Sequence, residues 1–364
     1  MRKFLLIVSA LLVLVAVNGV LFAQDTVEIE PWVCPSGYEG QQLSIYNWST
    51  YVAEDTIANF EEACGVTVVY DVYESNEAML ARIGQGNPGY DILVPTDYIV
   101  ALMIAEGMLE PLNYANIPNL ANVSENLLNP PYDPGNLYSI PYQWGTIGIG
   151  YNVNEVDEEV TTWQQMFEYP GRVAWLEDVR GMVGIALNIL GYDPSTSNPD
   201  EIAEARDLLI ANGGNVVAIA ADDGQALLER GEVDMVIEYN GDIFQLIDDC
   251  ECEDFAFVIP DEGAQIWVDN LVIPVGAPNK ELAEVFIDYI LHPQVGADIS
   301  NYTAYATPNQ VAIDNGLIDE ELLDNPSIYP TDEVRERLFF TEDNPDGEQY
   351  FNDAWDEIKV LLGR

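Results

Sequence analysis

At 364 residues the chain is long enough for two domains of ordinary size, and with 48% apolar residues it can bury a substantial core. Its 63 acids against 12 lysines and arginines give a formal charge of −51, which excludes ordinary nucleic-acid binding because that needs basic patches. The acids are dispersed rather than blocked, so they read as a solvated surface that attracts small cations without naming a ligand.

Arg2 and Lys3 open the chain, an apolar run follows from Phe4 to about Val17, and Leu21-Phe22-Ala23 offers a cleavage site. Residues 1–23 are therefore expected to be a secretory signal peptide, placing the protein in the periplasm or on the outer face of the cell membrane. The rival is an uncleaved anchor, since Phe4 to Ala23 is nearly long enough to span a membrane; Asn18 and Gly19 favour cleavage. Export permits disulfides. Cys34 precedes the first expected strand and Cys64 ends the first expected helix, so a bridge between them can staple that edge. Cys250 and Cys252 then pair locally or stay reduced. A zinc site is the weaker reading, because C-x-C has no second pair nearby and the single histidine is His292.

In chain order, Leu43 to Asn47 reads as a strand running into Trp48-Ser49-Thr50-Tyr51, ahead of a helix opening at Glu54 and Asp55. An apolar strand that ends in such a turn before a helix fits the carboxyl end of a strand in an open α/β sheet, where ligands usually sit. Val66 to Val72 is a strand, Ser75 to Ile83 a helix capped by Ser75, and Tyr90 to Val94 a buried strand ending at Pro95-Thr96-Asp97-Tyr98 before a helix from Ile99 to Glu106. This alternation predicts a largely parallel sheet. Asn113 to Asn136 is proline-rich and should be irregular.

Tyr138 to Asn152 is long, extended and glycine-studded, and is read as the first crossover between two lobes. A second α/β unit begins at Thr161, with a helix carrying Trp163 and Met166 and a strand from Arg172 to Leu176 ending at Asp178. Asn198, Pro199 and Glu201 predict a capping box on the next helix. Asn215 to Ala221, Asp234 to Tyr239, Phe255 to Ile259 and Ile266 to Ile273 are further strands, the last a candidate return crossover. Asn279 is expected to cap a helix through Leu291, with the rest to Arg364 mainly helical.

The candidate site residues fall at strand ends and loops: Trp48, Ser49, Tyr51, Tyr98, Asp178, Tyr239, Asp242, Trp267, Asp269 and Tyr305. Aromatics with carboxylates, and no matching lysine or arginine apart from Arg180, suit an alkylammonium ligand. Ring faces attract cations, methylene stems gain from apolar burial, and a carboxylate offsets the cost of burying an ammonium. Most acids in so acidic a chain are surface residues; Asp269, flanked by Trp267 and Leu271 in an apolar strand, stands out. No G-x-S-x-G, H-E-x-x-H or P-loop occurs, so an enzyme is not expected.

At these residues the chain resembles bacterial extracellular solute-binding proteins of the spermidine/putrescine-binding family, which feed ABC importers. YNWSTY, VYESNEAM, YDILVPTDY, YSIPYQWGTIGIGYN, IWVDNLVIP and TPN carry the likeness in matching order from about Leu43 onward. The resemblance implies an α/β, two-lobed periplasmic-binding type II fold, each lobe a mainly parallel sheet flanked by helices and joined by extended hinge crossovers. Residues 42–148 with 271–313 would form one lobe and 149–270 with 314–364 the other.

It further implies a polyamine ligand, membrane permease partners, a monomer and no cofactor. Trp48, Ser49 and Tyr51 would line the polyamine, Tyr98 and Tyr305 would flank it, and Trp267 would stack beside Asp269, which would pair with an amine. Asp178 matches a carboxylate of spermidine-binding members, Asp242 one of putrescine-binding members, and Tyr239 stands where the family usually has tryptophan. Two positions depart from the pattern: a family glutamate is Gly181 here, and a glutamine near the C-terminus is replaced, with Thr341 as the matching residue. The ligand alternatives are another cationic amine, or ferric ion held by phenolates such as Tyr239 and Tyr305.

Overall fold

In a computed structural model, which describes residues 29–221, 223–342 and 344–363, the first strand follows from its alternation. β1 (Gln42–Trp48) buries Leu43, Ile45 and Asn47 and turns the residues between them outward. The expected signal peptide lies outside the described residues. α1 (Thr56–Cys64) starts after Asp55 and closes on Gly65, whose φ of 65° is a left-handed cap. β2 (Thr67–Tyr73) pairs parallel to β1 at the edge of the sheet. α2 (Asn76–Ile83) is capped by the Ser75 hydroxyl, which accepts the Ala78 N–H.

β3 (Ile92–Leu93) is shorter than the expected Tyr90–Val94. Asn87 Oδ1 holds the N–H groups of Gly89 and Tyr90 in a turn, and the Asp91 carboxylate takes those of Ser44 and Asn279. α3 (Asp97–Ala105) follows. The proline-rich connection then holds only short 3₁₀ turns, pinned at its end by buried Asp133, which accepts the N–H groups of Leu137, Tyr138 and Ser139.

β4 (Ser139–Asn152), buried along nearly its whole length, serves both halves of the sheet. After it come α4 (Trp163–Glu168), β5 (Val173–Leu176), α5 (Val179–Leu190), α6 (Pro199–Asn212), β6 (Val216–Ala220), α7 (Gly224–Glu229), β7 (Met235–Tyr239), α8 (Asn240–Cys250), β8 (Phe255–Val258), β9 (Ile266–Val272), α9 (Lys280–Ile290) and α10 (Pro293–Thr303). The long C-terminal helix spans Glu348–Leu362. Strand order is β2-β1-β3-β9-β4-β7-β5-β6, with β8 beside β4. Pairing is parallel within β2-β1-β3 and β7-β5-β6, and antiparallel wherever β4 or β9 takes part. Ser139–Thr146 lie against β9, whereas Ile147–Asn152 lie against β7 and β8.

Two local expectations are corrected. Asn198 does cap α6, accepting the Asp200 N–H, but Glu201 turns to the Thr196 hydroxyl, so no capping box forms. Asn279 makes no side-chain cap; it is drawn to Asp91 instead. The C-terminal stretch is mainly helical as expected, interrupted where Phe339 runs parallel to Gln265, its N–H bonded to the Ala264 carbonyl and its own carbonyl accepting the Ile266 N–H.

Both disulfides form, Cys34 with Cys64 and Cys250 with Cys252. The first works with Trp32, whose indole packs on Phe60 and Tyr289 and donates to Asp288, to bind the leading segment to the core. Closing a loop with a sequence separation of 30 is worth about 3–4 kcal/mol in the chain-entropy account. The double variant Cys34→Ser/Cys64→Ser should lose about that much unfolding free energy in urea titration. An unchanged midpoint would contradict the assignment.

Candidate functional site

Strand ends from both halves of the sheet converge on one slot. β1 delivers Trp48, whose indole N–H donates to the Val94 carbonyl at 2.9 Å and whose ring packs on Tyr73 at 4.6 Å. The turn beyond it passes through Thr50 at φ 45°, an unusual value for a β-branched residue, and so carries Ser49 and Tyr51 into the slot. β9 alternates, placing Trp267 and Asp269 on one face and Val268 on the other. Two residues beyond β5 stands Asp178, the N-cap of α5, and β7 ends at Tyr239 with Asp242 in the first turn of α8. α10 stops at Ala304, left-handed at φ 55°, which turns Tyr305 inward.

Every sequence-selected residue except Tyr98 lines this slot. Tyr98 sits with Asp97, Tyr132 and Thr341 in an adjoining chamber of about 520 Å3, its hydroxyl taken by Asn76 Nδ2 at 3.2 Å. Thr341 is thus also outside the slot. Two lining residues went unread: Thr96, bridged to Asp269 across the strands, and Gln265. Thr96 belonged to the recognised aromatic turn, but the tyrosine in that turn drew the assignment. Gln265 had no local signal.

The slot is narrow, with about 30 Å3 of free volume, because its rings interlock. Tyr51 meets Tyr305 at 5.2 Å and 83°, Tyr305 meets Trp267 at 5.3 Å and 65°, and Trp267 meets Tyr239 at 5.7 Å and 85°. Such edge-to-face contacts suit the ring quadrupoles and add about 0.5–1.5 kcal/mol each beyond burial. Close approach here depends on glycine. A β-carbon on Gly241 would stand 2.5 Å from the Tyr305 ring, and one on Gly145 would stand 2.7 Å from the Trp267 ring.

Carboxylates interrupt this apolar wall. Asp242 accepts the Tyr305 hydroxyl at 2.7 Å and the Thr50 hydroxyl at 3.4 Å; burial still lifts its pKa to about 6. Asp269, 4% exposed, is lifted to about 7 by burial, against which the nearby Thr96 and Tyr51 hydroxyls work. Its Oδ1 has no hydrogen-bond partner in the protein. Asp178 accepts the Gly181 N–H at 2.7 Å as N-cap of α5 and the Tyr239 hydroxyl at 3.3 Å, and its pKa is also raised by burial. Behind the wall, Asp97 accepts the N–H groups of Tyr98 and Val268; burial, reinforced by Asp269 and Asp178, lifts it to about 8. Arg180 is the one buried lysine or arginine among the described residues. Chemically the slot offers flat rings, several carboxylates and one unmatched carboxylate oxygen.

The family model for bacterial extracellular solute-binding proteins matches residues 55–328. The chain belongs to that family. A putrescine-binding periplasmic protein of Pseudomonas aeruginosa is 33% identical over 88% of this chain and 92% of its own length. A spermidine/putrescine-binding periplasmic protein of Escherichia coli is 35% identical over 81% and 85%. Among solved structures, the spermidine/putrescine ABC transporter substrate-binding protein of Streptococcus pneumoniae superposes with a TM-score of 0.75 at 32% identity, covering 89% of this chain and 100% of its own. The fold of this solute-binding protein is that of the type II periplasmic binding proteins, and its family binds solutes for ABC transporters rather than converting them.

Two outcomes follow from the geometry. Gly241→Ala should cost about tenfold or more in cation affinity by titration calorimetry, because overpacking Tyr305 deforms the slot by about 1–3 kcal/mol. Its melting temperature should hardly change, since alanine favours the helix by about 1 kcal/mol; unchanged affinity would contradict the close approach. For pH, the raised carboxyls make the ligand-free fold prefer protons, a stabilisation present below about pH 4 and lost as pH rises through about 6 for Asp242 and about 7 for Asp269. A cation bound beside these carboxylates would reverse that preference. Calorimetry in buffers of different ionisation heat should therefore show proton release on binding at about pH 6 and almost none at about pH 8.5; equal release at both would contradict it.

Proposed function

We propose that this chain is the solute receptor of a polyamine importer, taking a slender di- or triamine such as putrescine or spermidine between two lobes. The observation that carries the reading is Asp269 Oδ1, buried and unpartnered inside a ring-lined slot. An ammonium supplies the missing donors and the opposite charge together, and the rings of Trp48, Tyr51, Trp267 and Tyr305 wrap its methylene stem. Asp242 and Asp178 are further carboxylates lining the slot, each already bonded to groups of the protein. The names of the relatives support the same ligand class.

In this proposal residues 42–148 with 271–313 move against 149–270 with 314–364. The narrowness of the slot supports an opening step before entry, with bending where β4 passes from β9 to β7. The closed receptor, a monomer cleaved after its signal peptide, then hands its cargo to the permease. No described helix is long and apolar enough to cross a membrane. The ferric reading has less support: the Tyr239 and Tyr305 hydroxyls each donate to a separate carboxylate, and no group of three histidine, cysteine, aspartate or glutamate side chains placed to hold a metal occurs among the described residues.

Calorimetry of the purified protein with putrescine, cadaverine, spermidine and spermine tests the proposal. At least one should bind tightly, and Asp269→Asn should weaken it by about 2–5 kcal/mol, the usual cost of truncating a buried charge pair. Absence of heat with all four would sink the reading.

A further inference from the structure

The slot holds two unlike carboxylates. One, Asp269, presents an oxygen with no protein partner. In the other, the charge of Asp178 is already shared among the Gly181 N–H, the Tyr239 hydroxyl and a nearby guanidinium. That guanidinium belongs to Arg180, 7% exposed and 4.5 Å from the centre of the Phe351 ring. Burial raises the Asp178 pKa, and Arg180 opposes that rise, as a cation beside a carboxylate must.

The unmatched acceptor near Asp178 is an amide. Gln265, 1% exposed, lines the slot with Oε1 lacking a partner. Its seat exists because residue 181 has no side chain: a β-carbon there would stand 2.8 Å from Gln265 Oε1 and 2.6 Å from Ile147 Cδ1. The Gln265 backbone is anchored as well, its carbonyl accepting the Ile147 N–H at 3.0 Å. A buried acceptor left unmatched is costly, so the slot favours any ligand that brings a donor to this point.

We propose that Gln265 is a specificity-determining residue of the slot, receiving the distal head of the ligand through a neutral amide. The amide then reads a hydrogen-bond donor rather than a full positive charge. This deepens the polyamine reading and rests on it. A terminal hydroxyl should satisfy Gln265 nearly as well as a second ammonium, whereas a terminal methyl should leave Oε1 unmatched.

Three isosteric ligands separate these cases: putrescine, aminobutanol with a hydroxyl in place of one amine, and pentylamine with a methyl there. In the unaltered protein aminobutanol should bind within about thirtyfold of putrescine, and pentylamine at least about tenfold more weakly than aminobutanol. Gln265→Glu should widen the preference for putrescine over aminobutanol by about tenfold or more, because a charge-assisted bond replaces a neutral one. Gln265→Leu should erase the gap between aminobutanol and pentylamine. A preference for putrescine over aminobutanol beyond about thirtyfold in the unaltered protein would overturn the inference while leaving the polyamine reading intact, and it needs no variant to fold. An unchanged aminobutanol–pentylamine gap in a folded Gln265→Leu protein would do the same. Failure of all three and of spermidine to bind would overturn both.

Discussion

A carboxylate withdrawn from water with one oxygen unmatched is the constraint that organises the binding end of this molecule. Isolating such an ion costs several kcal/mol, and without a partner the group holds its proton instead. Asp269 behaves in that way, its pKa raised to about 7 by burial. The interlocked rings of Tyr51, Tyr305, Trp267 and Tyr239 create the condition by keeping water thin around it. The same rings supply the apolar walls and π-faces that a chain-like cation needs, so desolvation of the acid and recognition of the cation have one cause.

The scaffold makes that arrangement reachable. The parallel strands β1, β3, β5 and β7 bring slot side chains at or just beyond their carboxyl ends, with little flexible loop between. β9 supplies the central pair because alternation puts Trp267 and Asp269 on the same face. The chain passes between the halves of the sheet at Thr146–Ile147, at Gln265–Ile266 and near Phe339, and backbone hydrogen bonds tie these passes together. Gln265 itself lines the slot, so the proposed opening, if hinged at these passes, would change the slot's shape.

Much of this was legible in the sequence, for identifiable reasons. β1, β4 and β9 have strict alternation or a glycine-studded extended pattern, and both survive tertiary packing. The aromatic turns marked strand ends correctly. Tyr98 lies outside the slot because α3 starts at Asp97, earlier than its apolar run suggests, and a helix rotates about 100° per residue. The side chain that reaches the slot is Thr96, the last extended residue before the helix. The capping box failed for a local reason, since Thr196 offered Glu201 a hydroxyl that the helix did not. Gln265 was invisible because its significance needs Gly181, Ile147 and Asp178, residues far apart in the chain that only the fold brings together. Asp178 was found as a strand-end acid, but its second task as N-cap of α5 depended on a helix that the sequence reading had passed over.

The account stands or falls on the protonation of one side chain. Carbon-13 NMR of the aspartate carboxyls, with Asp269 assigned through Asp269→Asn, measures it directly as pH is varied. The ligand-free protein should titrate this group near 7, and saturation with a diamine should push the midpoint below the ordinary aspartate value of about 3.9. An ordinary carboxylate midpoint in the ligand-free protein, unmoved by ligand, would contradict the central claim.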